Sequence, residues 1–326
     1  MDSFRKISFA AAAFGLAANF VSAEENSDAG TAAEEEKVYT TADSALGWKS
    51  HLITPFYAHY AQTLPSSVSD GGKIAKSVYG TGLSWRFIPE DKTRISLSSL
   101  DYRRTDFRFS GAANRYSRVF RHTDSFSAMT YQEFINPHTG LSLAGYAALA
   151  AAAEDRVGIE GGIGGFIGVG AKQYFSETTS VTLGAAAAYS AARERWYVLP
   201  LVSFDWEIAE HLSIRMLNGL TLTWNVNGGR ELTVDFSASY SSDSFVIERD
   251  GNAESRYFGK SGAVICESIP VGISGTWNLS ENFYLNLGVT ANFRTKYKLY
   301  RGGRKTGEDF RADTPIELSA RFGIRF

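Results

Sequence analysis

One cysteine, Cys266, stands in a chain of 326 residues. It has no internal partner, so a disulfide framework and a Cys-rich metal cluster are both excluded. The bland reading of Cys266 is a small, weakly polar strand residue. Proline is scarce, at 7 residues. Beyond the N-terminus no run of about 18 apolar residues occurs, so no helix can cross a membrane. That absence leaves membrane strands open. Such a strand needs only about 9–11 residues, and only every second one is apolar. An excess of one charge is also missing. The formal net charge is −2, which removes the basic surplus that nucleic-acid binding requires. What the chain does have is 31 glycines and 13% aromatic residues, a strand-rich composition with few breakers.

The first residues read as an export signal, 1–23. Arg5 and Lys6 give a positive start, Ile7 to Phe20 is apolar, and Val21-Ser22-Ala23 is a small-residue cleavage site. Glu24 is then the expected mature N-terminus. Residues 24–47 carry Glu24, Glu25, Asp28, Glu34, Glu35 and Glu36 among small residues. Such a stretch buries too little apolar surface to fold, so it reads as a flexible acidic segment.

From Trp48 to Phe326 the pattern has period two. In 283–299 the odd positions run Phe283, Leu285, Leu287, Val289, Ala291, Phe293, Thr295, Tyr297 and Leu299. Between them stand Tyr284, Asn286, Gly288, Thr290, Asn292, Arg294, Lys296 and Lys298. In 310–326 Phe310, Ile316, Leu318, Phe322, Ile324 and Phe326 alternate with Arg311, Glu317, Arg321 and Arg325. A strand separates such sets onto opposite faces, whereas a helix scatters them. Segments 195–208, 212–225 and 231–240 alternate in the same way, and 93–109 is the least regular. Short turns fall at Pro89-Glu90-Asp91-Lys92, 136–140, 176–179, 209–211, Ser241-Ser242-Asp243 and 279–282. Longer connections lie near 63–75, 110–116, 152–155, 192–194, 226–229, 251–261 and 300–309. Together they divide the chain into about fourteen strands (roughly 12–16). No loop is long enough to form an obvious plug.

Alternation alone does not say whether the apolar face meets lipid or a core. Three features favour lipid. Aromatic residues gather at strand ends, as at Tyr60, Tyr79, Trp196, Trp206, Trp224 and Trp277, and suit a membrane interface. The apolar face includes small residues such as Ala185 and Ala187, too slight to fill a protein core. The opposite face carries both charge signs at mid-strand. The expectation is an all-β, transmembrane, antiparallel up-and-down barrel over 48–326 with short periplasmic turns.

The closing segment Leu318-Ser319-Ala320-Arg321-Phe322-Gly323-Ile324-Arg325-Phe326 resembles the C-terminal strand of Gram-negative outer-membrane β-barrel proteins. That resemblance implies outer-membrane location and recognition by the barrel-assembly machinery, with Phe322, Ile324 and Phe326 as the assembly signal. Roughly the last 90 residues also resemble an uncharacterised outer-membrane β-barrel family. This likeness rests on Phe245-Val246-Ile247-Glu248-Arg249-Asp250-Gly251, on Glu267-Ser268-Ile269-Pro270 and on Leu279-Ser280-Glu281-Asn282-Phe283-Tyr284-Leu285. It implies fold and location, not chemistry.

Catalytic and metal motifs are weak. His122 and Asp124 share one face near an outer strand end, where a charged rim above lipid explains them well. His51 and His59 lie about 26 Å apart on an extended strand, too far for one metal. Gly161-Gly162-Ile163-Gly164-Gly165 lacks the Gly-Lys-Ser/Thr ending of a phosphate loop. Asp250-Gly251-Asn252 lacks the spaced acids of a calcium loop. No cofactor is implied. The remaining candidates face the expected lumen: Arg86, Arg156, Glu160, Lys172, Arg195, Asp205, Glu207, Arg215, Glu231, Asp235, Arg294, Lys296, Glu317, Arg321 and Arg325. They fit a wet, charged channel for small solutes, and equally a salt-bridged lumen that conducts poorly. An outer-membrane hydrolase is a third reading. Lipid is an expected partner, nucleic acid is not, and the oligomeric state is open.

Export makes one testable claim. N-terminal sequencing of the membrane-fraction protein is expected to start near Glu24, and a freely soluble periplasmic species would overturn it.

Overall fold

The computed structural model describes residues 56–324 apart from 88–92, 137, 156, 158–161, 177, 210, 217–218, 227–230, 248–261, 281 and 302–303. The export segment, the acidic segment, His51, Arg156, Glu160, Arg325 and Phe326 lie outside the described residues.

The first eight strands are β1 (Phe56–Ser67), β2 (Lys73–Phe87), β3 (Arg94–Ser110), β4 (His122–Ile135), β5 (Leu141–Glu154), β6 (Ile163–Tyr174), β7 (Thr179–Ser190) and β8 (Arg195–Ala209). Two short strands follow, β9 (Leu212–Met216) and β10 (Gly219–Asn225). The remainder are β11 (Leu232–Ser239), β12 (Ser241–Ile247), β13 (Gly262–Asn278), β14 (Phe283–Arg301), β15 (Arg304–Arg311) and β16 (Ile316–Ile324). β11 and β12 follow β13 in one register, from Leu232↔Trp277 to Ile247↔Gly262. They are one strand running through Tyr240. β15 and β16 follow β14 in the same manner, through Lys296↔Arg311 and Ala291↔Ile316. The wall is therefore a closed, antiparallel, fourteen-stranded barrel. It closes where β1 meets β16, Phe56↔Ile324, and where β13 meets β14.

Two turns expected from sequence are moved. Residues 212–225 are not one strand but the β9–β10 hairpin, with Leu220 opposite Met216 and Trp224 opposite Leu212. Ser241-Ser242-Asp243 is not a turn but the start of β12. The two differences cancel, so the strand number stays at fourteen. The polar Ser-Ser-Asp run looks like a turn, yet its side chains sit in a strand paired with β13.

The outward face is apolar along its length. Tyr60, Tyr79, Tyr102, Phe126 and Trp196 are exposed toward the end away from Phe56. Trp85, Phe134, Trp206, Trp224, Trp277, Phe283 and Phe322 are exposed toward the end that carries Phe56 and Ile324. Tyr60 and Tyr79 pair across strands with ring centroids 5.2 Å apart, and Phe283 and Phe322 at 5.7 Å. On β8, Trp196 and Trp206 are ten residues apart, about 33 Å along the strand and about 25 Å along the barrel axis at a tilt near 40°. That is the height of a hydrocarbon band flanked by two aromatic girdles.

Toward the far end the barrel narrows. β12 leaves the wall and pairs in parallel with the tip of β5, Val246↔Ala153. β15 approaches the end of β1 through Val68↔Ala312. The upper ring thus runs β12–β13–β14–β15–β1–β2–β3–β4–β5 and bypasses β6 to β10. A bulge permits the bend. Between Glu267 and Ile269 the β13–β14 register shifts, and Arg294 takes φ +52°. From there the alternation of β14 reverses, so Tyr297 and Leu299 turn inward instead of continuing the outward row of Phe293. An extra residue in one strand has this effect on facing and twist.

A ring of nine strands is small enough for side chains to fill, whereas fourteen leave more room. Here the ring is filled. Phe107, Phe245, Val264, Leu299, Tyr297 and Phe310 meet the residues that follow β3. A 3₁₀ helix, Gly111–Arg118, brings Ala113, Tyr116 and then Phe120 into this cluster. Phe120 stands edge-on to Phe107 at 5.0 Å, and Tyr116 stacks on Phe310 at 4.1 Å. Tyr116 and Arg115 also donate hydrogen bonds to Asp70 in the β1–β2 turn. The Tyr116 bond holds the Asp70 carboxyl below its ordinary range. Among the described residues the end is thus filled by strands and a short helix.

Phe120 is 0% exposed. Phe120→Ala is expected to cost about 3–5 kcal/mol at this end. Amide hydrogen exchange should quicken over Gly111–Arg118 and β15 while the β6–β8 wall keeps its protection.

Candidate functional site

Among the described residues the inner face holds three polar groups and one apolar tract. The first polar group spans β16, β1, β2 and β3. Lys76 Nζ lies 3.0 Å from Glu317 Oε2, and Thr63 Oγ1 donates to the same oxygen at 3.3 Å. Register explains this meeting, because Thr63 stands between Lys76 and Glu317. Arg321 lies opposite His59, with its guanidinium 4.6 Å from the Tyr57 ring centroid. Tyr57 donates to Asp101. Gly80 makes room here, since a Cβ at that position would fall 2.0 Å from His59 Cε1.

The second group sits on β4, β5 and β6 near the end that carries Phe56. Glu133 is 0% exposed. It accepts hydrogen bonds from Ser142 Oγ at 2.7 Å, from the Tyr174 hydroxyl at 2.6 Å and from the Tyr131 hydroxyl. The Lys172 ammonium lies 4.4 Å over the Tyr174 ring. Ile95, Leu97, Tyr131, Ile135 and Ala144 form a buried apolar cluster beside it. The third group lines β8 to β11. Asp205 and Arg215 are register partners with Nε 3.4 Å from Oδ1, and Thr223 Oγ1 donates to Asp235 at 2.6 Å.

Residues singled out from sequence fall in all three groups: Glu317 and Arg321 in the first, Lys172 in the second, and Asp205, Arg215 and Asp235 in the third. Arg86 stands opposite Leu97 at the end of β2, Glu207 opposite Ser213, and Glu231 just before β11. Arg195 donates to the Tyr197 hydroxyl at 2.5 Å at the far end of β8. Arg294 occupies the bulge. Lys296 is placed differently from expectation. It does not share a face with Arg294, because the bulge reverses the alternation between them. It stands on the face opposite Tyr297, in an ion pair with Asp309.

Other contributors were not drawn from the sequence. Asp101 and Arg103 sit on β3, whose apolar inward residues Ile95, Leu97 and Phe107 obscure its alternation. Glu133 shares a face with Tyr131, and that alternation with outward Phe134 was the available signal.

The apolar tract covers the inner face of β5 to β8 between these groups and the narrowed end. Its inward positions are Ala148, Ala150, Ala152, Gly164, Phe166, Gly168, Ala186, Ala188, Leu199 and Leu201. Among the described residues no charged side chain interrupts them.

His122 faces outward. It shares its face with Tyr102 and Phe126 of the girdle, and its Nδ1 lies 2.7 Å from Asp106 Oδ1. Arg104 reaches Asp124 at 3.3 Å, and the Tyr102 hydroxyl donates to Asp124 at 2.7 Å. This is a charged rim just beyond the aromatic row. His138 and His211 lie in turns at the opposite end.

No family model matches the chain, and no curated protein matches it. Solved structures are similar to it in fold. An outer-membrane channel from Pseudomonas putida F1 is 10% identical, with 83% of this chain and 96% of that chain covered and a TM-score of 0.48. The Pseudomonas putida toluene transporter TodX is 11% identical over 83% and 89% of the two chains, with a TM-score of 0.36. The translocator domain of autotransporter NalP from Neisseria meningitidis is 12% identical over 89% and 99%, with a TM-score of 0.37. These are likenesses of fold alone.

Glu133→Ala is expected to remove the carboxylate that accepts from the Tyr131, Ser142 and Tyr174 hydroxyls. Loss of a buried hydrogen-bond partner costs about 1–3 kcal/mol. The folded-to-unfolded midpoint in urea should fall markedly, whereas Glu207→Ala, at an exposed position, should leave it nearly unchanged.

Proposed function

We propose that the protein is a passive channel for small solutes in the bacterial outer membrane, closed at its outer mouth in this conformation. The observation that carries the reading is the closed fourteen-stranded wall whose outward face is apolar and whose inner face bears charges of both signs. Lipid covers the first face, and water or solute meets the second. Both ends of the wall, Phe56 and Ile324, lie at the end with the shorter turns, the periplasmic side in such proteins. Phe322 and Ile324 belong, in this reading, to a C-terminal signal for the barrel-assembly machinery that continues to Phe326.

A second reading is a non-conducting structural barrel. The filled mouth favours it, because Phe120, Phe310 and Val264 are all 0% exposed there.

Single-channel recording in a planar bilayer separates the two. The wild-type protein is expected to be shut most of the time. Phe310→Ala, which thins the mouth core, is expected to raise the open probability. Arg294→Glu with Arg321→Glu is expected to move the reversal potential toward cation preference in a salt gradient, more strongly at low salt. Silence from well-folded wild type and Phe310→Ala alike would sink the channel and leave the structural barrel.

A further inference from the structure

The wall is not paired along its whole height. On one side of β8, Arg195 to Ser203 pair with β7, from Arg195↔Ser190 to Ser203↔Thr182. On the other side pairing begins only at Phe204↔Met216, because β9 and β10 turn back after a few residues. Among the described residues nothing pairs with that upper edge of β8. Across from it, β11 loses β10 beyond Ser239↔Gly219, and β12 turns away to the tip of β5. A window is left between β8 and the β11–β12 strand. The β9–β10 hairpin is its sill. Its lintel is the 3₁₀ turn Ala191–Arg193, where Arg193 reaches Glu267 of β13 at 3.2 Å.

The height of the window follows from the girdles. Trp196 marks the outer aromatic row and Trp206 the inner one. The unpaired stretch Arg195–Ser203 therefore covers the outer half of the hydrocarbon band and part of the inner half, about 18 Å of about 25 Å. Backbone donors and acceptors of an open edge are not left facing lipid, and at membrane depth they persist where they border a cavity. Pro200, which has no N–H to leave unpaired, sits on this edge.

Chemistry behind the window agrees with its depth. Below Arg195, which bounds it at the top, the described inner face of β5 to β8 at this height is a tract without charge that includes Ala148, Ala150, Phe166, Ala186, Leu199 and Leu201. Leu199 points inward yet is 48% exposed, so the space behind β8 is not filled by described side chains. Trp196 and Val198, at 67% and 79% exposure, form the outward rim. The direct way out is meanwhile filled by the aromatic mouth.

We infer that this window is a lateral port through which small, uncharged apolar molecules pass between the apolar tract and the outer leaflet. Such molecules prefer both places to water, and the tract offers no charge to a polar solute. This rests on the channel reading above and names a substrate class for it.

The test uses the full chain in lipid nanodiscs with two photoreactive probes, trifluoromethyl phenyl diazirine and its sulfonated analogue. Loss of dinitrogen leaves a carbene that inserts into nearby C–H bonds, and mass spectrometry locates the adducts. The apolar probe is expected to modify inward-facing Leu199 and Leu201 as well as lipid-facing Leu149 and Ile167. The sulfonated probe, confined to water, is expected to leave Leu199 and Leu201 unmodified. Leu199→Asp should lower apolar labelling at Ala148 and Ala150 about tenfold, as burial of a charge disfavours the apolar guest. Ala150→Asp serves as the second variant, read at Leu199 and Leu201. Labelling confined to lipid-facing residues would overturn the port, as would equal inner labelling by both probes or inner labelling unchanged in both variants. Conductance without inner labelling would remove the port and leave the channel. Inner labelling blocked by the variants, without conductance, would keep the port and remove the ion-conducting reading.

Discussion

Backbone hydrogen bonding in a medium without water is the constraint on which this structure depends. A strand facing hydrocarbon has only its neighbours to bond with, so the sheet must return to its starting point. The contact of β1 with β16 makes that return, and all side-chain facing follows from it. Once the register Thr63↔Glu317 and Thr63↔Lys76 is set, an acid and a base must lie on the same inner face with a hydroxyl between them. The salt bridge is a consequence of ring closure, not its cause. With side chains about a quarter exposed, it contributes modestly.

The general form of the barrel was legible in the sequence because period-two alternation survives wherever one face meets lipid. It failed where a strand does not have lipid on one side. At Arg294 the strand leaves the wall, and Tyr297 and Leu299 become core residues of the narrowed end. Simple counting through the bulge therefore put Lys296 on the wrong face. β3 was hard to read because its inward row carries Ile95, Leu97 and Phe107 while its outward row includes Arg104 and Asp106. Between β9 and β10 the sequence does carry a hairpin signal, Asn218-Gly219, but Met216 and Leu220 keep the alternation intact across it and hide the reversal. The strand number survived only because one missed turn and one spurious turn offset each other. For the inner face, charges on regular strands such as Asp205 and Arg215 were visible. Glu133 was missed, and its importance comes from three hydroxyls on three strands that no local pattern connects.

The two ends of the molecule obey different packing rules. Along the wall, Ala185 and Ala187 face outward without consequence, since lipid tails adapt to any contour. At the narrowed end Ala113 and Ala312 are buried among aromatic rings, and each methyl group has fixed neighbours. Shortening β9 and β10 produces this division. The strands that are bypassed at the top are also the ones that leave the wall open beside β8.

The parallel meeting of Val246 with Ala153 has a further consequence in time. Among the described residues, every other wall contact except the closure of β1 with the β15–β16 strand joins strands close in sequence and can form as the chain arrives. This one unites residues 93 apart, and it requires β5 to be in place before β12 bends toward it. Contacts of such separation are slow to form because a long loop must be ordered first. Maturation of the barrel then has two clocks. Zipping of neighbouring strands supplies a cylinder early, and docking of β12 sets the moment at which the cylinder acquires a distinct top.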